Sequence, residues 1–474
     1  MTRKQRGMPA FPGRKGDLMQ KENQQERSRM LGEMPMARLV PKVSVPIMIS
    51  MLVQALYNIV DSIFVAQYSQ DALTAVSLAY PIQMLMVALS TGLGTGINSL
   101  ISRRLGEKNP REARLAAKNG LFLEVCGWLL FVVVGLFLSR PLMNMFTPDA
   151  TLRDLGTTYL TIVCTFSGGL FLSICFERMM QATGNTVASM ITQLAGAVVN
   201  IILDPILIFG WLGLPALGVA GAALATVIGQ VSGMTLGFVL NQRKNAELHL
   251  RWNHFRPDGR ILAGIVAVGL PSTVMSSIGS VLNVCMNMIL IKYGNAAVSV
   301  LGVYFKLQSF VFMPVFGLSN GLVPIVGYNY GARHKKRVYE AIKVALVLAG
   351  VIMLLGTVLF MVMPDTLMGL FETGEASELT EIGRVALRVI SLSFLMAAVG
   401  ITLSTVFQAV GKGLYSLLMS VCRQLAVLLP AAWILSEVGG LNAIWWAFPV
   451  AEVVSLALAL GLYHKCNRDM ISRL

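Results

Sequence analysis

The chain contains the same text twice. At a spacing of 225 residues, Pro46, Asn58, Tyr68, Gln83, Gly92, Gly96 and Gly106 align without a gap on Pro271, Asn283, Tyr293, Gln308, Gly317, Gly321 and Gly331. The register still holds at Phe146 and Phe371. After a two-residue insertion, Gln181, Ala182 and Gly184 fall on Gln408, Ala409 and Gly411. A duplicated chain must fold as two similar halves. When the halves are apolar, that pattern points to a membrane protein whose solute site lies between them and opens to one side of the bilayer and then the other.

The 474 residues are 55% hydrophobic and 13% charged, with a mean hydropathy of +0.68. A soluble domain carries about twice that charge, so the expected fold class is an all-α polytopic membrane protein. Because a helix needs roughly 20 apolar residues to cross the hydrocarbon, spans are predicted near 39–66, 72–102, 116–138, 155–182, 186–210, 216–241, 261–292, 296–329, 338–363, 381–410, 414–436 and 441–464. These make twelve helices, six per half. The predicted organisation is a basic, disordered cytoplasmic tail over 1–38, a six-helix lobe over 39–241 and a cytoplasmic interlobe loop over 242–260. A second six-helix lobe with a short tail occupies 261–474.

The net charge of +14 raises nucleic acid as a partner, but its distribution answers otherwise. Of 38 Lys and Arg residues, 30 fall on one side of a twelve-span arrangement, in the tail and in the even-numbered loops. The other side carries Asp71, Asp149, Asp365, Glu372, Glu375, Glu378 and Glu437, with Arg140, Arg153, Lys292, Arg384 and Arg388 as its basic residues. This is the positive-inside asymmetry, which predicts cytoplasmic termini and leaves nothing for nucleic acid to explain. The first 38 residues lack the apolar core of a secretory signal. Six cysteines show no CxxC pair, and His249, His254, His334 and His464 lie in loops or at the cytoplasmic end. Neither a disulfide framework, a metal site built on His and Cys, nor an intramembrane enzyme with a histidine base is indicated.

Two runs carry candidate chemistry. In the first span Ser50, Gln54, Tyr57, Asn58 and Asp61 share one polar stripe, which should face the interior. A charged Asp at a helix centre costs about 2.5–3.5 kcal/mol on insertion scales, which favours exchanging a proton or holding a cation. The alternative is an Asp fixed by backbone groups loosened near Pro46. In the fifth span Asn200 and Asp204 are four apart and share a face, while Pro205 gives no N–H to the carbonyl of Ile201. Hard cations take oxygen ligands, so Asp61, Asn200 and Asp204, with the Thr226 hydroxyl of the sixth span, form a candidate site for Na⁺ or a shared proton. The alternative is a kink at the outer end of a span, with Asp204 snorkelling to water.

Other intramembrane charges read as weaker candidates. Arg178 and Arg423 are expected to snorkel, and Glu124, Glu177 and Glu452 stand in apolar runs. Lys306 shares a span with Tyr304 and Gln308, near the expected interlobe surface. Gly92 with Gly96 and Gly317 with Gly321 read as packing motifs. The 27 methionines either line an adaptable cavity or fill the membrane interior.

The segments QALYNIVDSIFVAQYSQDALTAVSLAYPIQ (54–83), QATGNT (181–186), VVNIILDPILIFGWLGLPALGVAGAALATVIGQ (198–230) and PIVGYNYGARHKKRV (324–338) resemble the multidrug and toxic compound extrusion (MATE) family over residues 36–464. The resemblance implies two six-helix lobes related by an axis along the membrane normal, a monomer in a prokaryotic plasma membrane. It further implies export of amphipathic, often cationic, organic compounds in exchange for H⁺ or Na⁺, with no other cofactor. The family's amino-terminal cation site matches Asp61, Asn200, Asp204 and Thr226. The acids that one branch of the family carries in the seventh and tenth helices are not matched: the seventh has Asn283 and Asn287, and the tenth has no acid beyond Glu381 at its start. Gln54, Tyr57, Asn58, Asn283, Asn287, Tyr304, Lys306 and Gln308 are the candidate substrate-cavity residues. The rival readings are a flippase for a lipid-linked sugar, which would want several basic cavity residues, and an intramembrane enzyme. The antiport reading requires that Asp61 and Asp204 meet in the bundle interior.

Overall fold

The computed structural model describes residues 29–248, 255–371 and 378–474. It contains twelve crossing elements and, among these residues, no strand. The first half comprises α1 (Met36–Tyr68), α2 (Gln70–Gly106), α3 (Pro110–Phe146), α4 (Ala150–Thr165 with Gly168–Ala182), α5 (Thr186–Phe209) and α6 (Val219–Lys244). The second comprises α7 (Gly259–Tyr293), α8 (Asn295–Gly331), α9 (Lys335–Val362), α10 (Glu378–Ser391 with Phe394–Ala409), α11 (Gly413–Ile444) and α12 (Ala447–Ile471). Helix starts follow local chemistry. The hydroxyl of Ser69 accepts from the N–H of Ala72 to cap α2, and a carboxylate oxygen of Asp258 accepts from the N–H groups of Arg260 and Ile261 to cap α7.

The duplication extends to the irregularities. Elements α4 and α10 are each bent, by 43° and 49°. At each bend a serine hydroxyl donates to a carbonyl three residues back, Ser167 to Cys164 at 2.8 Å and Ser393 to Ile390 at 2.6 Å. The same carbonyls also accept from the backbone N–H groups of Ser167 and Ser393, so each bend keeps its polar groups paired within the chain, as a break in a spanning helix requires.

The halves meet through glycines. A Cβ on Gly92 would sit 2.8 Å from the carbonyl of Gly269 and closer still to Thr273, and one on Gly317 would sit 2.6 Å from Cα of Met48. Gly96 lies against Gly269 and Gly321 against Ser44; Gly106 lies against Tyr328 and Gly331 against Arg103. The 225-residue shift turns each first contact into the second with the halves exchanged, which is what a twofold axis between them demands. All these contacts lie within about 20 Å of the basic-loop ends of α1, α2, α7 and α8, taking 1.5 Å per residue. The hydroxyl of Ser99 reinforces them by donating to the carbonyl of Gln408 at 2.6 Å. Farther along, Leu56, Asn58 and Ile59 of α1 and Val281, Asn283 and Met288 of α7 are exposed. The bundle is therefore clamped at the end carrying the basic loops.

The expected tail is shorter than its composition suggests. Residues 29–33 are helical, and Leu31 is 2% exposed within an apolar core drawn from both halves. Its carbonyl accepts from Asn329 Nδ2 and Arg337 Nη2, each at 3.1 Å, and that of Met34 accepts from Arg337 Nη2 at 2.9 Å. A few apolar residues inside a basic segment suffice to dock it once a receiving corner exists. Residues 1–28, His249, His254, Glu372 and Glu375 lie outside the described residues.

Candidate functional site

Helices α1 and α5 pack side by side, and this brings Asp61 to the Asn200–Asp204 turn. The Asp61 and Asp204 carboxyls lie within hydrogen-bonding reach of each other. Asn200 Nδ2 donates to Asp204 Oδ1 at 3.4 Å. Asp204 is fully buried and Asn200 is 3% exposed. Three oxygens here, Asp61 Oδ1, Asn200 Oδ1 and Asp204 Oδ2, are buried without a protein hydrogen-bond partner. Unpaired buried oxygens are costly, and these three, acceptors all, are chemically suited to a proton or a cation as partner. Two carboxylates in contact also repel unless a proton or cation stands between them.

Thr226 is buried on α6, three residues before Gly229. A Cβ on Gly229 would lie 2.8 Å from the carbonyl of Gly196 and 3.0 Å from Cβ of Asn200. That backbone contact sets Thr226 at the level of Asp204. The donor set of two carboxylates, an amide oxygen and a hydroxyl fits a hard monovalent cation or a shared proton. No cluster of three His, Cys, Asp or Glu occurs among the described residues.

Tyrosines enclose the site. Tyr57 and Tyr159 both lie within electrostatic range of Asp61 and Asp204, and the Tyr159 hydroxyl donates to Gln83 Oε1 at 3.3 Å. Tyr57 therefore belongs to the carboxyl pocket and does not line the cavity of the second half. Tyr159 and Gln83 were not singled out as site residues from sequence. The available signal was a tyrosine in an apolar run, whose hydroxyl must find a partner when buried.

A separate cavity of about 560 Å³ lies mostly in the second half, with Met51, Thr91, Gly92, Thr95 and Arg178 contributed by the first. Tyr304 and Gln308 line it. Gln54, Tyr57, Asn58, Asn283, Asn287 and Lys306 do not. Gln54 is engaged by Gln193, whose Nε2 donates at 2.8 Å. Asn287 donates to Asn283 at 3.1 Å on α7. Lys306, two residues from both Tyr304 and Gln308, projects from another face of α8, and its ammonium sits 5.8 Å from the Phe371 ring.

Arg178 and Arg423, expected to snorkel, line the cavity instead. Arg423 pairs with Glu452 at 3.0 Å, and both side chains are largely buried. Glu124 is fully buried, accepting from the Ser90 hydroxyl at 3.0 Å. Of the methionines, Met51, Met275, Met313 and Met419 form part of the cavity wall.

Comparison with known proteins agrees with this architecture. The chain is 29% identical over 441 residues to the multidrug export protein MepA of Staphylococcus aureus, covering 92% of this chain and 95% of that one. An outward-facing multidrug resistance MATE transporter of the MOP superfamily superposes with a TM-score of 0.86 at 25% identity, over 94% of this chain and 98% of that one. A MATE structure in the straight conformation gives 0.87 at 25% identity, over 94% and 99%. The sequence profile of the MatE family matches both halves, at residues 46–206 and 271–434. With two matched six-helix halves joined along a glycine seam and both matched by the family profile, the chain belongs to the MatE family of multidrug and toxic compound extrusion transporters.

Proposed function

We propose that this transporter exports amphipathic organic compounds, cationic ones included, in exchange for H⁺ or Na⁺ taken up at Asp61, Asn200, Asp204 and Thr226. The three unpartnered oxygens shared by Asp61, Asn200 and Asp204 carry this reading. The basic loops and both termini lie on the cytoplasmic side of the plasma membrane, in keeping with the positive-inside rule. The glycine seam then closes the cytoplasmic end, so the described state is the one open to the exterior. Entry of one H⁺ or Na⁺ from outside, shared between the two carboxyls, removes one negative charge and their mutual repulsion, α1 shifts against α5, and the solute leaves. With the cation released inward, the restored repulsion favours the opposite opening.

When the exported solute carries no net charge, one positive charge moving inward across 100 mV supplies about 2.3 kcal/mol, roughly a fiftyfold gradient; exchange for a monovalent cation is electroneutral and is driven by the H⁺ or Na⁺ concentration difference alone. The name of the Staphylococcus aureus relative, a multidrug export protein, supports the direction of transport. The test is efflux in proteoliposomes of the full chain, with pH and Na⁺ gradients imposed separately and ethidium as probe. Wild type should respond to one of the gradients, and Asp61→Asn and Asp204→Asn should each lose the response while remaining folded. Gradient-driven efflux undiminished in both variants would exclude the mechanism.

A further inference from the structure

Arg178 stands on α4 of the first half, yet it lines the cavity that the second half mostly encloses. It passes α2 at Gly94, where a Cβ would meet Cγ of the arginine at 2.8 Å. Its orientation is built. Nη1 donates to Gln181 Oε1 at 3.0 Å, and Gln181 Nε2 donates to the Ser189 hydroxyl at 2.9 Å, which turns the amide oxygen toward the guanidinium. The repeat gives this position no second arginine. Counted past the two-residue insertion, Arg178 aligns on Thr405, which also lines the cavity.

The cavity wall holds three ionisable side chains of full charge: Arg178, Arg423 and Glu452. Arg423 and Glu452 are paired with each other. Among the described residues Arg178 makes no ion pair within 4.0 Å. Glu124 and Glu177 act on it electrostatically, but neither lines the cavity. A guanidinium presents five donors in a planar fork suited to two oxygens of one anion, and the Gln181 bond uses one of them. Nearby Phe305, Phe312 and Phe316 offer an apolar wall.

We infer that Arg178 is the anion-recognition point of this cavity, which takes amphipathic molecules carrying a carboxylate or sulfonate on an aromatic body, zwitterions included. The inference rests on the export reading and narrows its substrate class. A plain cation entering the same space meets two arginines and an acid that is already paired.

The experiment compares 1-pyrenebutyrate with 1-pyrenebutylammonium, two probes with the same body and opposite charge, by fluorescence binding to the full chain in detergent. Wild type should bind the carboxylate about tenfold more tightly, the worth of one charge-assisted contact. Arg178→Gln should lose about that factor for the carboxylate and leave the ammonium unchanged or tighter. Arg178→Lys, which keeps the charge without the fork, should fall between. If Arg178→Gln does not fold, judged by gel filtration, the wild-type preference and the Lys variant decide. Equal or tighter binding of the ammonium, binding of neither probe, or an unchanged carboxylate affinity in Arg178→Gln overturns the assignment. Proteoliposomes separate the two levels: gradient-driven export of the ammonium probe alone removes the anion subsite and keeps the export reading, whereas no gradient-driven movement of either probe or ethidium removes the export reading itself.

Discussion

Gln193 Nε2 donates to Gln54 Oε1 at 2.8 Å, tying α5 to α1 two turns from Asp61. Two amides paired across a helix interface fix rotation as well as distance, so this bond holds the face of α1 that carries Asp61 against the face of α5 that carries Asn200 and Asp204. Replacing Gln54 by Leu strands the Gln193 amide and should cost about 1–3 kcal/mol, read as a lower unfolding temperature in detergent. The double variant Gln54→Leu with Gln193→Leu should recover part of the loss, a coupling of about 0.5–3 kcal/mol. Strictly additive losses would mean that the pair contributes nothing specific.

The reciprocal glycine seam makes a symmetric prediction. Gly92→Val and Gly317→Val place side chains against the backbones of α7 and α1 respectively. Each should weaken the closed basic-loop end by roughly 1–3 kcal/mol, a five- to 150-fold shift in population. A cysteine at Ser44, in a chain whose native cysteines are replaced by serine, reports the shift. Ser44 is fully buried, so labelling by an impermeant maleimide should be slow in the parent and faster with either valine. A change in one variant and not the other would break the symmetry argument.

Leu31 supplies a third test. Truncation to Ala removes a side chain that is 2% exposed and should cost about 2–5 kcal/mol of local docking. Arg337→Gln removes the donor to the Leu31 and Met34 carbonyls. Either change should speed trypsin cleavage at Arg38, an exposed residue just beyond the docked segment. An unchanged cleavage rate would show that these contacts do not hold it.

The members of the carboxyl cluster were legible one helix at a time, while their meeting was decided by the packing of α1 on α5. Asn200 and Asp204 share a helix face by their spacing of four, and Asp61 lies deep in a span where a charge needs a partner. The cavity was less legible. Tyr304 and Gln308 line it while Lys306, between them on the chain, points elsewhere, because residues two apart on a helix face different neighbours. Arg178 and Arg423 were expected at a lipid boundary, since sequence gives a span's depth but not which neighbour each face meets. Tyr159 and Gln83 join the carboxyl pocket only because α4 and α2 pass beside α1.

Sequence alone determined the number of helices, their duplication, the side that bears the basic loops and which spans carry buried oxygen-bearing side chains. Those properties come from apolar length, charge bias and helical periodicity, all of which act within a few turns of chain. The tertiary structure decided which end of the bundle is clamped, that Arg423 is neutralised by Glu452 and that Arg178 faces the cavity. These depend on how rigid helices pack around a twofold axis, where half a turn of rotation moves a side chain from lipid to interior without changing the local sequence signal.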